Sequence, residues 1–306
     1  MTQPPFISWL GHGAVNLAPP GLFHDVTGYA FVLDASRRAM QALVDKLLTP
    51  ATQGKVSYEV PWNSALLSVT DIAQCSSGPE QIGWLPGKEF AIWVPLLEKQ
   101  PHQLLPRAVL WAPYIFINYD IGMVTGREIW GWNKAIGHII VEPEAQPARF
   151  ACSTTIFRNF APQTQGGFEE LLAVTGTRPI TTGPADFLEF LTALFGEVGA
   201  ALANSLKIEP VIPAIALRQF RDTEDPMRAS HQAIVNSPCR ITKMKGAELL
   251  DDRFTLSIRT CDSHRIMHDI FGMDPTEPVS ERPIRLAARV GMDFQAEPGK
   301  TIIAWP

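Results

Sequence analysis

The sequence predicts a β-dominated α+β domain. Runs rich in β-branched and aromatic residues recur along the chain, with Gly, Pro, Asn and Asp between them. The 26 prolines interrupt helices and favour many short strands and loops. Helical periodicity is confined to a few stretches.

Residues 1–25 are rich in Pro and Gly and are expected to form an extended arm. "GYAFVLDA" (28–35) follows as a strand. "SRRAMQALVDKLL" (36–48) reads as a helix capped by Ser36, with Met40, Leu43, Val44 and Leu47 on its apolar face. "SALLSVTDIAQC", "KEFAIWVPLL", "AVLWAPYIFINYD", "GHIIVEP" and "ARFACSTTIF" are expected strands. Residues 184–207 carry Phe187, Phe190, Leu191, Leu194, Phe195, Val198 and Leu202 at helical spacing, with Pro184 suited to the first turn. Glu189 and Glu197 make this segment a poor membrane span. It is expected to pack as an amphipathic helix; a lid or an oligomer contact is the alternative. "PVIPAIALRQF", "RASHQAIVNSPCRITKMKGAEL", "RFTLSIRTC" and "IRLAARVGMDF" restore strand character. "DSHRIMHDIFG" (262–272) reads as a short helix.

The 306 residues suffice for one large domain or two ordinary ones. A hydrophobic fraction of 46% and a charged fraction of 19% place the chain among globular proteins. A net charge of −5 offers no basic surface for nucleic acid or anionic lipid. Cys75, Cys152, Cys239 and Cys261 are too far apart for a C-x-x-C motif, so reduced thiols in a cytoplasmic protein are expected. No basic n-region followed by an apolar h-region opens the chain, and no secretory signal is expected. His264 and His268 stand one helical turn apart, but no third ligand lies near them in sequence, so no metal site is expected. No phosphate-cradling glycine loop occurs, and no cofactor is expected.

The chemical question lies in "GREIWGWNKAIG" (126–137), where Lys134 sits in a run of glycine, aromatic and aliphatic residues. A lysine in water, with a pKa near ~10.4, is a free amine in roughly one molecule in 2,500 at pH 7. Apolar surroundings disfavour the ammonium and expose the nucleophile. Trp130, Trp132 and Ile136 supply such surroundings if strand alternation gathers them around the amine. The competing reading is a surface lysine lying along the apolar run with its ammonium in water. Trp84, Trp93, Trp111, Trp130 and Trp132 crowd one stretch of the chain, either as barrel core or as the wall of a pocket for a flat or bulky substrate.

"LWAPYIFINYDIGMVTGREIWGWNKAIG" (110–137) resembles the acetoacetate decarboxylase superfamily. Asp120, then Gly126-Arg127-Glu128, then Trp132-Asn133-Lys134 follow the family's order, in which the lysine forms a Schiff base. "EFAIWVP" (89–95) is similar to the family segment whose glutamate lines the active site, which is Glu89 here. "GYAFVLDASRRAMQALVDKLL" resembles the family's early strand and helix. The resemblance is dense over about residues 26–160 and thinner over 208–293. It implies a single domain over 1–306, with the arm (about 1–25) and a helical insertion (about 165–207). The implied fold is a closed antiparallel β-barrel or cone with flanking helices. The implied assembly is a homo-oligomer.

The implied catalytic residues are Lys134 and Glu89. Arg127, Glu128, Trp130, Trp132 and Tyr114 are the expected binding residues. Ala135 replaces the family's second lysine, Asn133 replaces a proline, and no arginine lies within 20–36, where Thr27 holds the corresponding place. The adjacent cation that activates the family's lysine is therefore missing, leaving desolvation for that task. An iminium also activates C–H bonds and bonds broken in retro-aldol steps. The expected function is therefore a Schiff-base lyase acting on a keto acid or related carbonyl compound by aldol or dehydration chemistry, with Glu89 as proton shuttle. A β-keto acid decarboxylase and a non-catalytic small-molecule binder are the alternatives.

Overall fold

The structure, a computed structural model, describes residues 5–13, 16–101, 103, 105–176, 180–184, 210–251 and 253–305. Its elements are β1 (Gly21–Asp34), α1 (Arg37–Leu47), β2 (Ser57–Glu59), β3 (Ser64–Ser77), β4 (Leu85–Lys99), β5 (Arg107–Ile117) and α2 (Asp120–Thr125). A π turn (Gly126–Trp130) leads into β6 (Lys134–Glu142), β7 (Ala148–Ile156), β8 (Gly167–Gly176) and β9 (Ile180–Pro184). Then come β10 (Val211–Ile212), β11 (Ala214–Arg221), β12 (Ala229–Asn236), β13 (Cys239–Asp251) and β14 (Thr255–Arg259). Helix α3 (Ile266–Phe271), β15 (Val279–Ala296) and β16 (Lys300–Ala304) complete the chain.

Nine strands close into a ring in the order β5-β6-β7-β8-β14-β15-β1-β3-β4, with β4 pairing back onto β5. The expected closed β architecture is therefore present. One junction departs from it: β5 and β6 run parallel. Inside the ring lies the main core, in which the ring of Phe31 meets those of Phe150 and Phe254 at 5.3 Å each. Full burial of each such side chain contributes roughly 1.5–3 kcal/mol.

The other face of the same strands is apolar too. In β1, Tyr29, Phe31 and Leu33 point into the ring, whereas Ala30 and Val32 join a second cluster with Leu66, Ala247, Ala288 and Val290. Both faces are covered because the chain builds a second wall. β13 pairs with β15, β10 pairs with β13, and β11, continuing past Pro213, pairs with β5. A cavity lies between this wall and the outer face of β1, β3, β4 and β5.

Helix α1 begins as expected: the Ala39 amide donates to Ser36 Oγ (3.3 Å), and Met40, Leu43 and Val44 are buried. Leu47, also expected on the apolar face, is instead exposed. Among the described residues one carboxylate is wholly buried. Glu98 on β4 meets the Arg107 guanidinium of β5 at 3.0 Å and the Tyr58 hydroxyl of β2 at 3.3 Å. It ties three neighbouring strands together, and loss of the cation would leave a buried charge uncompensated.

Several boundaries are corrected. β1 starts at Gly21, so the arm is shorter than 25 residues. The helical insertion does not begin at 165, because Gly167–Gly176 is strand β8 of the ring. The helix expected over 184–207 lies outside the described residues apart from Pro184. No helix among the described residues is long and apolar enough to cross a membrane.

His264 leads into α3, with its ring 5.5 Å from that of Phe116 and 6.4 Å from that of Tyr114. Burial lowers its affinity for a proton below the ordinary value of 6.5. The unfolded chain then takes up a proton at a higher pH than the folded chain does. Stability should hold above about pH 6.5 and fall as the pH drops from there towards the folded-state value. Urea unfolding between about pH 7 and pH 5 should show this slope, and His264→Gln should flatten it. Equal slopes in the two proteins would assign the acid sensitivity elsewhere.

Candidate active site

A parallel strand pair cannot be joined by a hairpin; it needs a crossover. Residues 118–133 are that crossover, made of α2, the π turn and a tight exit. Asp120 opens it, its side chain accepting from the Ile121 amide (2.7 Å). Gly131 leaves it with φ of +80°, where a Cβ would also strike the Arg218 backbone at 2.6 Å. The Trp132 amide donates to Gly126 O (2.9 Å) and the Lys134 amide to Trp132 O (2.7 Å). These bonds set Lys134 at the first position of β6, opposite Ile115. Gly126 leaves room for the lysine stem: a Cβ there would lie 2.6 Å from Lys134 Cδ and 2.8 Å from Cε.

Lys134 Nζ donates to Glu89 Oε2 at 2.6 Å, across 45 positions of sequence. Both side chains are largely shielded, at 14% and 19% exposure. Glu89 stands on β4 between Thr70 and Ile117 of the flanking strands. Glu89, expected from the sequence as the proton shuttle, is thus in direct hydrogen-bond contact with the amine. The same carboxylate is placed to take the proton when the amine gives it up. Ala135 packs against the ring's interior, so its position brings no second cation to the amine.

The cavity encloses about 230 Å³. Trp93, Trp130 and Trp132 line it, as do Phe23 and Phe294. Trp93 meets Trp132 edge to face at 5.5 Å, and Phe23 stacks on Phe294 at 4.5 Å. Two of the indole N–H groups are satisfied within the protein: Trp93 donates to Ser68 Oγ (2.8 Å) and Trp130 to Glu297 O (2.9 Å). Trp111 belongs to the main core instead, and Trp84 is exposed.

Three expected binding residues stand outside this cavity. Tyr114 is turned the other way by alternation in β5, where Ile115 faces the cavity. Its hydroxyl donates to Asp269 Oδ2 of α3 at 2.6 Å. Arg127 is exposed and donates to the Lys134 carbonyl (3.1 Å) and to Asn133 Oδ1 (3.4 Å), so it braces the turn. Glu128 is exposed and accepts from Asn16 Nδ2 (2.6 Å), tacking down the N-terminal arm. His264 and His268 hold no site together, since His268 Nδ1 bonds Asp269 Oδ1 at 2.8 Å. No cluster of three metal-ligating side chains occurs among the described residues.

Other side chains at the site were missed by sequence reasoning. Tyr119 lines the cavity, its ring fitted between two glycines: a Cβ on Gly87 or Gly122 would lie 2.3 or 2.4 Å from it. Burial, above all, pushes its hydroxyl well above the ordinary tyrosine range. Cys239 also lines the cavity, and burial, with Glu89 nearby, pushes its thiol up to about 12. Both groups stay neutral at physiological pH. Ser68 and Thr70 are further polar residues of the lining. Their i, i+2 spacing, which puts both on one face of β3, was the available signal.

No protein-family model matches the chain, and no curated protein matches it. Solved structures do. An acetoacetate decarboxylase from Legionella pneumophila superposes with a TM-score of 0.62 at 13% identity, over 100% of this chain and 99% of that one. The enduracididine biosynthesis enzyme MppR in complex with pyruvate gives 0.57 at 14% identity, over 98% of both chains. An acetoacetate decarboxylase-like enzyme from Sphingomonas wittichii RW1 gives 0.58 at 12% identity, over 95% of both. Nine ring strands, a second wall and a shielded lysine between them thus form a chain with the acetoacetate decarboxylase-like fold.

Proposed function

We propose that this protein is a lysine-dependent lyase that forms an imine with a keto acid or related carbonyl compound and carries out aldol or dehydration chemistry on it. The observation that carries this reading is the Lys134–Glu89 pair, 2.6 Å apart inside an apolar cavity. Glu89 accepts the proton of the Lys134 ammonium, and the freed amine attacks the carbonyl carbon. Glu89 returns the proton as the carbinolamine loses water. The iminium then draws electrons from an adjacent C–H or C–C bond, and Glu89 moves the proton to or from the enamine carbon.

Two solved structures of the same fold support the aldol branch. They are MppR with pyruvate and MppR with the condensation product of pyruvate and imidazole 4-carboxaldehyde. Decarboxylation is the second reading, favoured by the acetoacetate decarboxylases of the same fold. Against it stands the cavity lining, in which Lys134 is the single cationic side chain among the described residues. Self-association belongs to the same proposal, supported by exposed Phe6, Ile7 and Trp9 in the arm. So does a cytoplasmic setting, supported by four free cysteines.

Imine formation and hydrolysis exchange the carbonyl oxygen with water. The wild-type protein should therefore catalyse exchange of oxygen-18 from water into a bound carbonyl compound, and Lys134→Arg should abolish it while remaining folded. Glu89→Gln should slow product formation by about 10²–10⁴-fold. Exchange persisting in Lys134→Arg would place the nucleophile elsewhere.

Gly126→Ala crowds the lysine stem without straining the backbone, whose φ of −60° suits any residue. A shift of the amine by about 1 Å should cost on the order of 10²-fold in turnover. Thermal stability should change far less. An unchanged turnover would show that the stem has room to spare.

A further inference from the structure

The cavity has an electrostatic character that selects among carbonyl compounds. Its described lining holds one cation, Lys134, and one anion, Glu89, bonded to each other. All other lining side chains are neutral, and most are aromatic or aliphatic.

Cations do stand beside the lining residues in sequence, but alternation turns them to the far side of their strands. Lys88 precedes Glu89 and faces Asp71 at 3.8 Å. Arg240 lies between Cys239 and Ile241 and is bonded to Glu297 at 2.7 Å. Arg289 precedes Val290 and faces Glu248 at 3.9 Å. Arg218, further along β11 from the lining residue Ala214, donates to Ile129 O and to His231.

When Lys134 becomes an iminium its positive charge remains, and Glu89 already balances it. A substrate carboxylate would add a second anion to an apolar cavity, facing Glu89, with no cation of its own. Burial of an unpaired charge in such surroundings is strongly disfavoured. A neutral substrate meets no such penalty. The paired rings Trp93–Trp132 and Phe23–Phe294 offer flat apolar surface to it.

We infer that the carbonyl compound bound by Lys134 is uncharged and carries an aromatic or comparably flat apolar group: a neutral aldehyde, ketone or enone, and not a keto acid. This inference rests on the imine reading of Lys134 and narrows its substrate class. In the condensing direction, Lys134 and a methyl ketone form the iminium with loss of one water. Glu89 removes an α-proton to give the enamine, whose carbon attacks the aldehyde carbon. The resulting alkoxide takes a proton, and the hydroxyl leaves as a second water as the next α-proton is lost. Hydrolysis of the product iminium consumes one water. The sum is ketone plus aldehyde giving enone plus one water, with no oxidant or reductant.

A matched pair of enones tests this. 4-Phenyl-3-buten-2-one and benzylidenepyruvate share one skeleton and differ in a methyl against a carboxylate. Each is incubated with the intact protein, reduced with borohydride, and the covalent adduct is followed by intact mass over time. The neutral enone should label at least about tenfold faster, since each tenfold reflects the affinity lost on burying the carboxylate unpaired. Met292 of β15 also lines the cavity, and Met292→Arg, which adds a cation there, should narrow or reverse that preference. Faster labelling by the keto acid, or an unchanged preference in Met292→Arg, would overturn the inference and leave the imine reading intact. No adduct from either compound would overturn the imine reading itself, and the inference with it.

Discussion

The parallel pairing of β5 with β6 is the constraint on which the site depends. Because the two strands point the same way, the chain must leave the end of β5 and travel back before β6 can start. The route taken is α2 and a π turn, a wide local geometry that recurs at functional sites. Its exit delivers Lys134 as the first residue of β6. Antiparallel pairing of β4 with β5 fixes Glu89 beside Ile117, one strand away. Neither residue is positioned by its sequence neighbours alone. The two meet because one strand pair is parallel and the next antiparallel.

The site keeps a donor and an acceptor within one hydrogen bond of each other, Lys134 Nζ lying 2.6 Å from Glu89 Oε2 in a cavity that is otherwise mostly apolar. Tyr119 and Cys239 contribute no competing charge, because burial raises both well above neutrality. Glycine at 126 then matters for space rather than for backbone freedom, since the lysine stem occupies the volume a Cβ would fill.

Much of this was legible in the sequence, but unevenly. Ser36 and its helix follow from a local cap and a local period. Lys134 and Glu89 were legible through the order of landmarks around them, not through periodicity. Tyr114, Arg127 and Glu128 were misplaced because their facing depends on alternation across β5 and on the winding of the π turn. A one-residue change in phase there sends a side chain to the opposite side. Leu47 was misassigned for a similar reason, lying at the last turn where α1 meets solvent. Tyr119 and Cys239 carry no pattern of their own. They enter the site because Gly87 and Gly122 leave space for one ring, and because β13 builds the second wall. That wall rests on pairings between distant strands, such as β13 with β15, which local sequence does not encode.

The amine of Lys134 is the proposed nucleophile, and the most direct measurement locates the covalent bond. The protein is incubated with a panel of aldehydes and ketones, reduced with borohydride, digested and mapped by peptide mass spectrometry. The expected result is a single added mass on Lys134, absent from Lys134→Ala under the same conditions. An adduct on another lysine, retained in Lys134→Ala, would contradict the account.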